Sequence, residues 1–576
     1  MSVSGPTQFK PRTGQESGTA LLLIALFATA LVYLATLRFD FTYDDGPQII
    51  ANDTLTAWHF LPGFFAGQVW RFLHPTVVGN YYRPVFMAWL LVNRMLFGLN
   101  PAPWHATTVA VHLLATWLSF VVARQILGNG TQAGYTAILF GLHPIHIESV
   151  AWISGVTDPL MAVFVFAAFW AWIRSGDLSA SSPSAWRLLA TFFYLLGCLT
   201  KEAALPLPAV VLAYDVLLKK RGGVLGCTVR LWPLWTAAMT YLIVRGLALR
   251  GLAHPDRSSI GQALLSIPVV LWEYLRRLVW PLGLSVFYDV PPVTRVFEVR
   301  LWLPLVVLVF VLMLVVATNR RLPLVGFSSL WALLFLLPAI LGLPVFLVGE
   351  WVHDRYLYLP VFGLCLLLGY AINHLPGEQQ LFGCRATPVI AMVVLVGAMA
   401  FGTAYQEQYW SDSLFLFVHA VKSAPENAWA RGALGWELYR NGDRQGARET
   451  YDAAIKLDPN SWKNLSDYGK MLYKIGDFRG ADEMYGRTVA IVPANAVAHF
   501  DQAVSRFNYG NYSGAETAFR EALLYDHQLQ GAHLWLGYSL EKQGRLEAAR
   551  SEYQNELKLY PNNQDARQRL SVLDRK

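Results

Sequence analysis

Charged residues are scarce in this sequence. Only 15% of its 576 residues are Asp, Glu, Lys or Arg, whereas 55% are apolar and the mean hydropathy is +0.35. Soluble domains carry about 25% charged residues, so a single soluble domain of this length is excluded. The composition predicts a polytopic membrane protein with a further domain attached.

Cysteine is also rare. Cys198, Cys227, Cys365 and Cys384 all lie within or beside apolar segments. No disulfide framework is visible, and the cysteines say little about the redox compartment. A small-residue cleavage site is lacking after the polar N-terminus, so we predict that the apolar run 20–37 is retained as a first membrane span.

Long apolar runs are absent after Phe401. From residue 405 onward the chain holds 21 Lys and Arg against 22 Asp and Glu, so the net charge of +7 comes from the first part, with 25 against 17. That surplus suits cytoplasmic loops and anionic phosphates rather than nucleic acid. We predict a membrane domain at 1–404, a connecting helix at 405–427 and a soluble domain at 428–576.

The basic residues also predict the topology. Lys10 and Arg12 place the N-terminus in the cytoplasm, and the clusters at 219–221 and 320–321 mark later cytoplasmic loops. The runs 84–96 and 264–282 are too short or too charged to span, and we expect them to lie on the outer surface. Eleven spans remain, so the soluble domain is predicted to be periplasmic, on the outer cell face or in the endoplasmic reticulum lumen. The predicted spans are 20–37, 104–123, 135–142 with its continuation, 160–173, 188–199, 203–218, 231–247, 301–317, 324–343, 357–372 and 389–404.

This topology brings many ionisable residues to the outer surface. Ionisable groups near a bilayer are energetically costly, so their convergence indicates a functional site. The set is Asp44, Asp45, Arg83, His143, His146, Glu148, Asp158, Lys201, Glu202, Glu350, His353, Asp354 and Arg355.

Each member of this set also has a simpler interpretation. Asp44 and Asp45 could form an ordinary turn in the sequence Asp-Asp-Gly-Pro. Lys201 and Glu202 could pair within a helix, and Arg355 could be a membrane-surface anchor beside aromatic residues. The histidines could simply hydrogen-bond to lipid headgroups or neighbouring helices.

Five motifs are more specific as an ordered set than any one of them alone. They are YDDGPQIIAN, YYRPVFMAWLLVNRMLFGLNPAPWHATTVAVHLL, LFGLHPIHIESVAWISGVTDPL, LTKEAALPLPAVVLAYD and DRYLYLP. In this order they resemble the transmembrane and tetratricopeptide-repeat O-mannosyltransferase family over nearly the whole chain. The resemblance implies a GT-C glycosyltransferase fold and the transfer of a sugar, mannose, from a polyprenyl-phosphate carrier to a hydroxyl of a protein acceptor.

The family's acidic motif falls on Asp44 and Asp45. Two departures leave the sugar undetermined. Val156 stands where the family often has Arg, and a second histidine-rich feature is only partly present, at His74.

The chemistry of such a transfer assigns roles to the polar set. A carboxylate, Asp44 or Asp45, would remove the proton of the acceptor hydroxyl. Arg83, Lys201 and Arg355 would bind the donor phosphate, because cations stabilise charge developing on a leaving phosphate. The predicted supporting residues are His143, His146, Glu148, Asp158 and Glu202. The sequence leaves open whether a divalent cation such as Mg²⁺ or Mn²⁺ takes part, with Asp45, His143, His146 and Glu148 as candidate ligands.

The last part of the chain repeats itself every 34 residues, which is the tetratricopeptide period. The recurring residues are Gly435, Gly469 and Gly537; Gly442, Gly476, Gly510 and Gly544; Ala447, Ala481, Ala515 and Ala549; Tyr451, Tyr485, Phe519 and Tyr553; and Pro459, Pro493 and Pro561. We predict four repeats of paired helices, 428–563, forming an α-solenoid.

Solenoids of this kind bind peptides on the concave face that their first helices line. Equivalent positions of these helices predict an acceptor groove made of Trp429, Trp436, Tyr439, Lys470, Tyr473, Lys474, Phe507, Asn508 and Tyr538. The alternative is that some of these residues pack between helices.

Two functions other than a transferase are the alternatives. A non-catalytic membrane scaffold would use only the repeats, to assemble partner proteins. A transporter is disfavoured, because its ionisable residues would lie at mid-membrane rather than on one face.

Overall fold

The structure is a computed structural model that describes residues 13–70, 79–176, 182–249, 260–346, 349–377, 379–381 and 384–574. The described chain is helical, apart from a short antiparallel pairing of Gln380–Leu381 with Cys384–Arg385. The predicted all-α class is therefore confirmed. The chain divides into two compact units, Met1–Leu416 and Phe417–Lys576.

The first unit is built from sixteen described α-helices. They are α1 (Thr13–Val32), α2 (Leu61–Phe65), α3 (Pro84–Phe97), α4 (Pro101–Leu127), α5 (Gly130–Leu142), α6 (Ile147–Ala151), α7 (Thr157–Ser175), α8 (Pro183–Thr200), α9 (Leu207–Ala213), α10 (Val224–Arg230), α11 (Trp232–Leu249), α12 (Ile260–Val279), α13 (Val299–Asn319), α14 (Pro323–Leu341), α15 (Pro360–Asn373) and α16 (Ala386–Gln406).

Six helical stretches among the described residues are long and apolar enough to cross a membrane, and each overlaps a predicted span. They are Gly18–Arg38, Pro101–Leu127, Ile153–Ser175, Val299–Asn319, Pro323–Val345 and Ala386–Trp410. The other five predicted spans fall on shorter or less apolar helices, namely α5, α8, α9 with the π-helical turn after it, α11 and α15. The total of eleven spans therefore stays a prediction.

Aromatic packing holds the centre of this unit. Trp331 of α14 is fully buried, and its ring lies 4.9 Å from that of Phe362 and 5.9 Å from that of Phe166, measured between centroids. Small residues let helices approach closely elsewhere, since a Cβ added at Gly141 of α5 would lie 2.3 Å from Oγ1 of Thr29 in α1. These contacts join α7, α14 and α15 at one point and α1 with α5 at another.

The second unit is a stack of helix pairs. Helix α17 (Ser413–Ser423) crosses the unit boundary, and the stack contains α18 (Ala428–Arg440), α19 (Arg444–Leu457), α20 (Trp462–Lys474), α21 (Phe478–Ile491), α22 (Ala496–Asn508), α23 (Tyr512–Tyr525), α24 (Ala532–Lys542), α25 (Leu546–Leu559) and α26 (Gln564–Leu573). The four predicted repeats correspond to the four pairs from α18 to α25, and α26 follows them.

The repeating residues have the roles that their spacing predicts. Gly442, Gly476, Gly510 and Gly544 turn the chain between paired helices with φ of 89°, 85°, 89° and 77°, a left-handed conformation that glycine adopts without strain. A Cβ added at Gly435 would lie 2.9 Å from the ring of Tyr451, which is fully buried. The glycine therefore makes room for the aromatic residue between the two helices of the repeat.

Candidate functional site

The loop after the first apolar helix is held under backbone strain. Tyr43, directly before the two acids, has φ of 55°, an uncommon value for a residue other than glycine. Its N–H donates to Oγ of Ser413 at 3.1 Å, and the N–H of Asp40 donates to the carbonyl of Ser411 at 3.0 Å. The segment that follows α16 therefore fixes the position of this loop.

Asp45 is fully buried and acts as a hydrogen-bond acceptor. Its Oδ1 accepts from the backbone N–H and the hydroxyl of Ser154, at 2.9 and 2.5 Å, and its Oδ2 accepts from the N–H of Thr42 at 3.1 Å. Burial raises the pKa of Asp45 to about 7, although each of these bonds favours the ionised form. The carboxyl group thus ties the first loop to the 3-10 turn Ile153–Val156.

Asp44 has a different environment from its neighbour. It is half-buried and lines a cavity of about 530 Å³, part of which is open solvent. We call this space the polar cavity, because Asp44 shares it with the cations Arg83, Lys201 and Arg355. The structure therefore separates the two adjacent acids, one anchoring the loop and the other facing the cavity.

Lys201 pairs with Asp158, a residue of α7. Nζ of Lys201 lies 2.6 and 2.7 Å from the two carboxylate oxygens, and both side chains are at most 3% exposed. Burial lowers the pKa of Lys201, and the charge of Asp158 opposes that shift. The sequence also allowed Lys201 to pair with Glu202 within a helix, and that interpretation is wrong.

Glu202 instead accepts two hydrogen bonds from Arg83. Nη2 of Arg83 lies 2.6 Å from one carboxylate oxygen and Nε lies 3.2 Å from the other, the bidentate geometry typical of arginine. Burial alone would raise the pKa of Glu202, but the pairing with Arg83 and the nearby charge of Lys201 lower it to about 2. The carboxylate is therefore held ionised.

Arg355 completes the group of cations. Its backbone N–H donates to Glu148 at 3.0 Å, and its guanidinium donates to the other oxygen of that carboxylate. Burial raises the pKa of Glu148, and the contact with Arg355 lowers it in part. The interpretation of Arg355 as a membrane-surface anchor is wrong, because its side chain is 16% exposed and bonded to a buried acid.

A second cavity adjoins the first. Lys201, Arg355 and Tyr356 line both, whereas the rest of the second cavity, about 460 Å³ with the open solvent at its mouth included, is mainly apolar. We call it the apolar cavity. Its other lining residues are Asp158, Met161, Glu202, Ala203, Phe335, Pro338, Ala339, Phe346, Leu359 and Pro360. The two cavities together suit a molecule with a charged end and an apolar end.

The histidines lie outside both cavities. Nδ1 of His143 accepts from the N–H of Ile145 at 3.2 Å, and His146 is buried with its ring 4.2 Å from that of Tyr358. Within the described ranges no group of three or more His, Cys, Asp or Glu could hold a metal ion. The candidate metal ligands Asp45, His143, His146 and Glu148 therefore do not form such a group. His74 lies outside the described residues.

Several lining residues were missed from the sequence. Tyr81 and Tyr356 place aromatic rings beside the cations, with Arg83 4.5 Å from the ring of Tyr81 and Lys201 5.3 Å from that of Tyr356. The sequence contained a signal for both tyrosines, because each lies within two positions of a predicted arginine, in YYRP and DRYLY. Ser154 carried no such signal.

The repeat unit has its own cavity on the predicted groove face. Lys470 and Tyr473 line it, as predicted, together with Phe500, Asp501 and Trp535, which the sequence analysis missed. The remaining lining residues are Lys474, Tyr485 and Val504.

Predicted groove residues also contact one another outside this cavity. Nζ of Lys470 lies 5.2 Å from the ring centre of Trp436, which in turn lies 5.6 Å from that of Tyr439. The rings of Phe507 and Tyr538 lie 5.4 and 5.5 Å from that of Trp535. The ammonium group of Lys463 lies over the ring of Trp429. The side chain of Asn508 donates to the hydroxyl of Tyr473 at 3.3 Å.

Known proteins share both parts of this architecture. A family model described as tetratricopeptide repeat matches residues 404–461, 433–496 and 500–564. Protein O-mannosyl-transferase F38B6.6 of Caenorhabditis elegans is 25% identical over 78% of this chain and 64% of its own length. Human protein O-mannosyl-transferase TMTC1 is 27% identical over 79% of this chain and 57% of its own length.

The resemblance to O-mannosyltransferases is confirmed. A third relative, human protein O-mannosyl-transferase TMTC2, is 30% identical over 35% of this chain and 25% of its own length. The chain spans 57% to 64% of the length of the first relatives that it matches.

The raised pKa of Asp45 predicts a pH-dependent stability. Asp45 keeps its carboxyl proton up to about pH 7 in the folded protein and only up to about pH 3.8 in the unfolded chain. The contribution of this carboxyl group to the free energy of unfolding is therefore present at low pH and is lost as the pH rises through this window. We expect the difference in Tm between the wild type and Asp45→Asn to shrink from pH 5 to pH 8, measured by thermal unfolding in detergent.

Asp53→Asn is the matched control, because this aspartate of the same loop is exposed. Its difference from the wild type should not change over the same range. A difference for Asp45→Asn that stays constant with pH would contradict the prediction.

Proposed function

We propose that this protein is an integral-membrane glycosyltransferase that moves mannose from a polyprenyl-phosphate donor to a hydroxyl of a protein acceptor. The observation that carries the proposal is the wall shared by the two cavities. There Lys201, Arg355 and Tyr356 lie between the polar cavity, which holds Asp44, and the apolar cavity. Relatives named protein O-mannosyl-transferases support the reaction class.

The donor would lie across that wall. Its phosphate would contact Arg83 and Arg355, which are 15% and 16% exposed, and its prenyl chain would follow the apolar cavity. A guanidinium has several N–H groups, so each arginine can keep its carboxylate partner and still donate to a phosphate. Lys201 is 3% exposed and gives two of its three N–H donors to Asp158, so it would act mainly through its charge and by holding the wall in place.

Asp44 would serve as the base. It would take the proton of the acceptor hydroxyl while the oxygen attacks the anomeric carbon of the sugar. The bond from that carbon to the phosphate oxygen breaks, and polyprenyl phosphate leaves with the bonding electrons, stabilised by Arg83 and Arg355. Asp45 would be a positioning residue, because its oxygens are occupied by Ser154 and Thr42.

The repeat unit would recruit the acceptor. Its groove combines exposed lysines, Lys470 and Lys474, with aromatic residues, a surface that suits an extended peptide segment. Recruitment raises the local concentration of the acceptor at the membrane site only if the repeats and Asp44 face the same compartment. We therefore propose that the N-terminus is cytoplasmic and the repeats are extracytoplasmic.

Replacing the proposed base tests catalysis directly. We expect Asp44→Asn to lower mannose transfer by at least about 100-fold, because general base catalysis contributes on that order. The measurement is mass spectrometry of hexose on Ser and Thr of acceptor proteins incubated with the purified protein and polyprenyl-phosphate mannose. Asp53→Asn, in the same loop but outside the polar cavity, should keep full activity.

Full activity of Asp44→Asn would refute the role of this residue. Absence of transfer by the wild type itself, with partner assembly dependent only on the repeats, would favour the non-catalytic scaffold.

The repeat groove can be tested separately from the chemistry. We expect Tyr439→Ala combined with Tyr473→Ala to weaken acceptor binding while hydrolysis of the donor is unchanged, because neither tyrosine lines the membrane cavities. Tyr525→Ala is a matched control, since this tyrosine is 46% exposed on α23, a second helix of a repeat. Equal loss of binding and hydrolysis would indicate misfolding instead.

Cysteine labelling tests the topology. In a variant without the four native cysteines, we expect Asn460→Cys to react with a membrane-impermeant maleimide in intact cells, because this repeat residue is exposed. Gly223→Cys, in an exposed loop predicted to be cytoplasmic, should react only after the membrane is opened. The reverse pattern would overturn the proposed orientation.

A further inference from the structure

A third cavity in the membrane unit lies far from the site. Its walls are apolar, from Ile126, Leu127 and Leu324 among others, and its polar lining includes Lys219 and Lys220. We call it the lysine cavity. Tyr214 and Tyr370 also line it.

The lysine cavity opens at the opposite ends of helices that line the apolar cavity. In α14, Leu324 lines the lysine cavity and Pro338 the apolar cavity, and at about 1.5 Å per residue they lie roughly 21 Å apart. In α15, Pro360 lines the apolar cavity and Tyr370 the lysine cavity. The lysine cavity therefore lies toward the opposite ends of these helices, at a separation of about two thirds of a ~30 Å membrane core.

The polar groups of this cavity lack anionic partners. Among the described residues neither Lys219 nor Lys220 forms an ion pair, and both are exposed. The adjacent Arg221, by contrast, is bound to Asp215 at 3.0 Å. Tyr214 is fully buried, and its hydroxyl has no hydrogen-bond partner in the described structure.

The backbone here is also irregular. Tyr214–Leu218 forms a π-helical turn closed by the bond from the N–H of Lys219 to the carbonyl of Tyr214, 3.1 Å long. Lys220 then has φ of 49°. Such turns often occur at functional sites, and this one brings both lysines to a single cavity.

We propose that the lysine cavity binds the headgroup of an anionic glycerophospholipid. The two ammonium groups would donate to the phosphate, and the acyl chains would lie along the apolar walls. A free phosphate would satisfy the lysines but not the apolar walls, so the lipid is the occupant that the cavity fits. This inference does not depend on the transfer reaction.

Lipid retention by the full-length protein tests the proposal. The protein, purified in detergent, is titrated with dioleoyl phosphatidylglycerol or with dioleoyl phosphatidylcholine, and bound lipid is counted by native mass spectrometry. We expect the wild type to retain about one phosphatidylglycerol at concentrations where phosphatidylcholine is lost. Lys219→Gln combined with Lys220→Gln should weaken this retention by about 10-fold or more, because each lysine near an anionic lipid contributes appreciably.

Arg320→Gln combined with Arg321→Gln is the matched control. It removes the same charge from two exposed residues that do not line the cavity, and it should leave retention unchanged.

Three results would overturn the proposal. Equal effects of the lysine and arginine double variants would show general surface electrostatics instead of a site. Equal retention of the two lipids would exclude recognition of an anionic headgroup. Displacement of the lipid by millimolar inorganic phosphate would show that the cavity takes the anion alone.

Discussion

A buried ion pair determines the geometry of the candidate site. Lys201 and Asp158 are withdrawn almost completely from solvent, and such a pair is tolerated only when its charges are matched and hydrogen-bonded. Lys201 is followed directly by Glu202, so the pair also sets where Glu202 meets Arg83. Asp158 lies in the first turn of α7, which directly follows the turn that holds Asp45. The ion pair therefore links Glu202, and with it Arg83, to the turn that binds the first loop.

The repeats could be predicted from the sequence because the residues that interact within one repeat are close together in the chain. Gly442 and Tyr451 lie nine positions apart and recur every 34 residues, so one repeat contains the information for its own turn and core. The ion pairs of the membrane unit are not local. The two residues of each pair are separated by 43, 119 or 207 positions in the sequence. Only the fold therefore shows which acid meets which cation. The residue types were therefore predictable there, and the partners were not.

The two adjacent acids show most clearly that the sequence predicts residue types and not their partners. Asp44 and Asp45 have the same chemistry and the same local sequence, so the sequence could not show which of them faces the cavity. The difference comes from Ser154, 109 residues away, whose N–H and hydroxyl bind Asp45. The strained Tyr43 lies directly before both acids and sets the direction in which the chain enters this pair. A tertiary contact, not composition, therefore leaves Asp44 at the cavity and assigns Asp45 to the scaffold of the loop.

Charge balance constrains how the proposed donor could bind. The polar cavity and its partners bring together three cations, Arg83, Lys201 and Arg355, and each already contacts a carboxylate. The three cations and their three carboxylates cancel, so no cation of this set is left unpaired for a donor. A donor phosphodiester would add one negative charge, and the guanidinium N–H groups that Glu202 and Glu148 do not use would donate to it. The charge of the proposed donor would therefore be met by additional hydrogen bonds and not by breaking an existing ion pair.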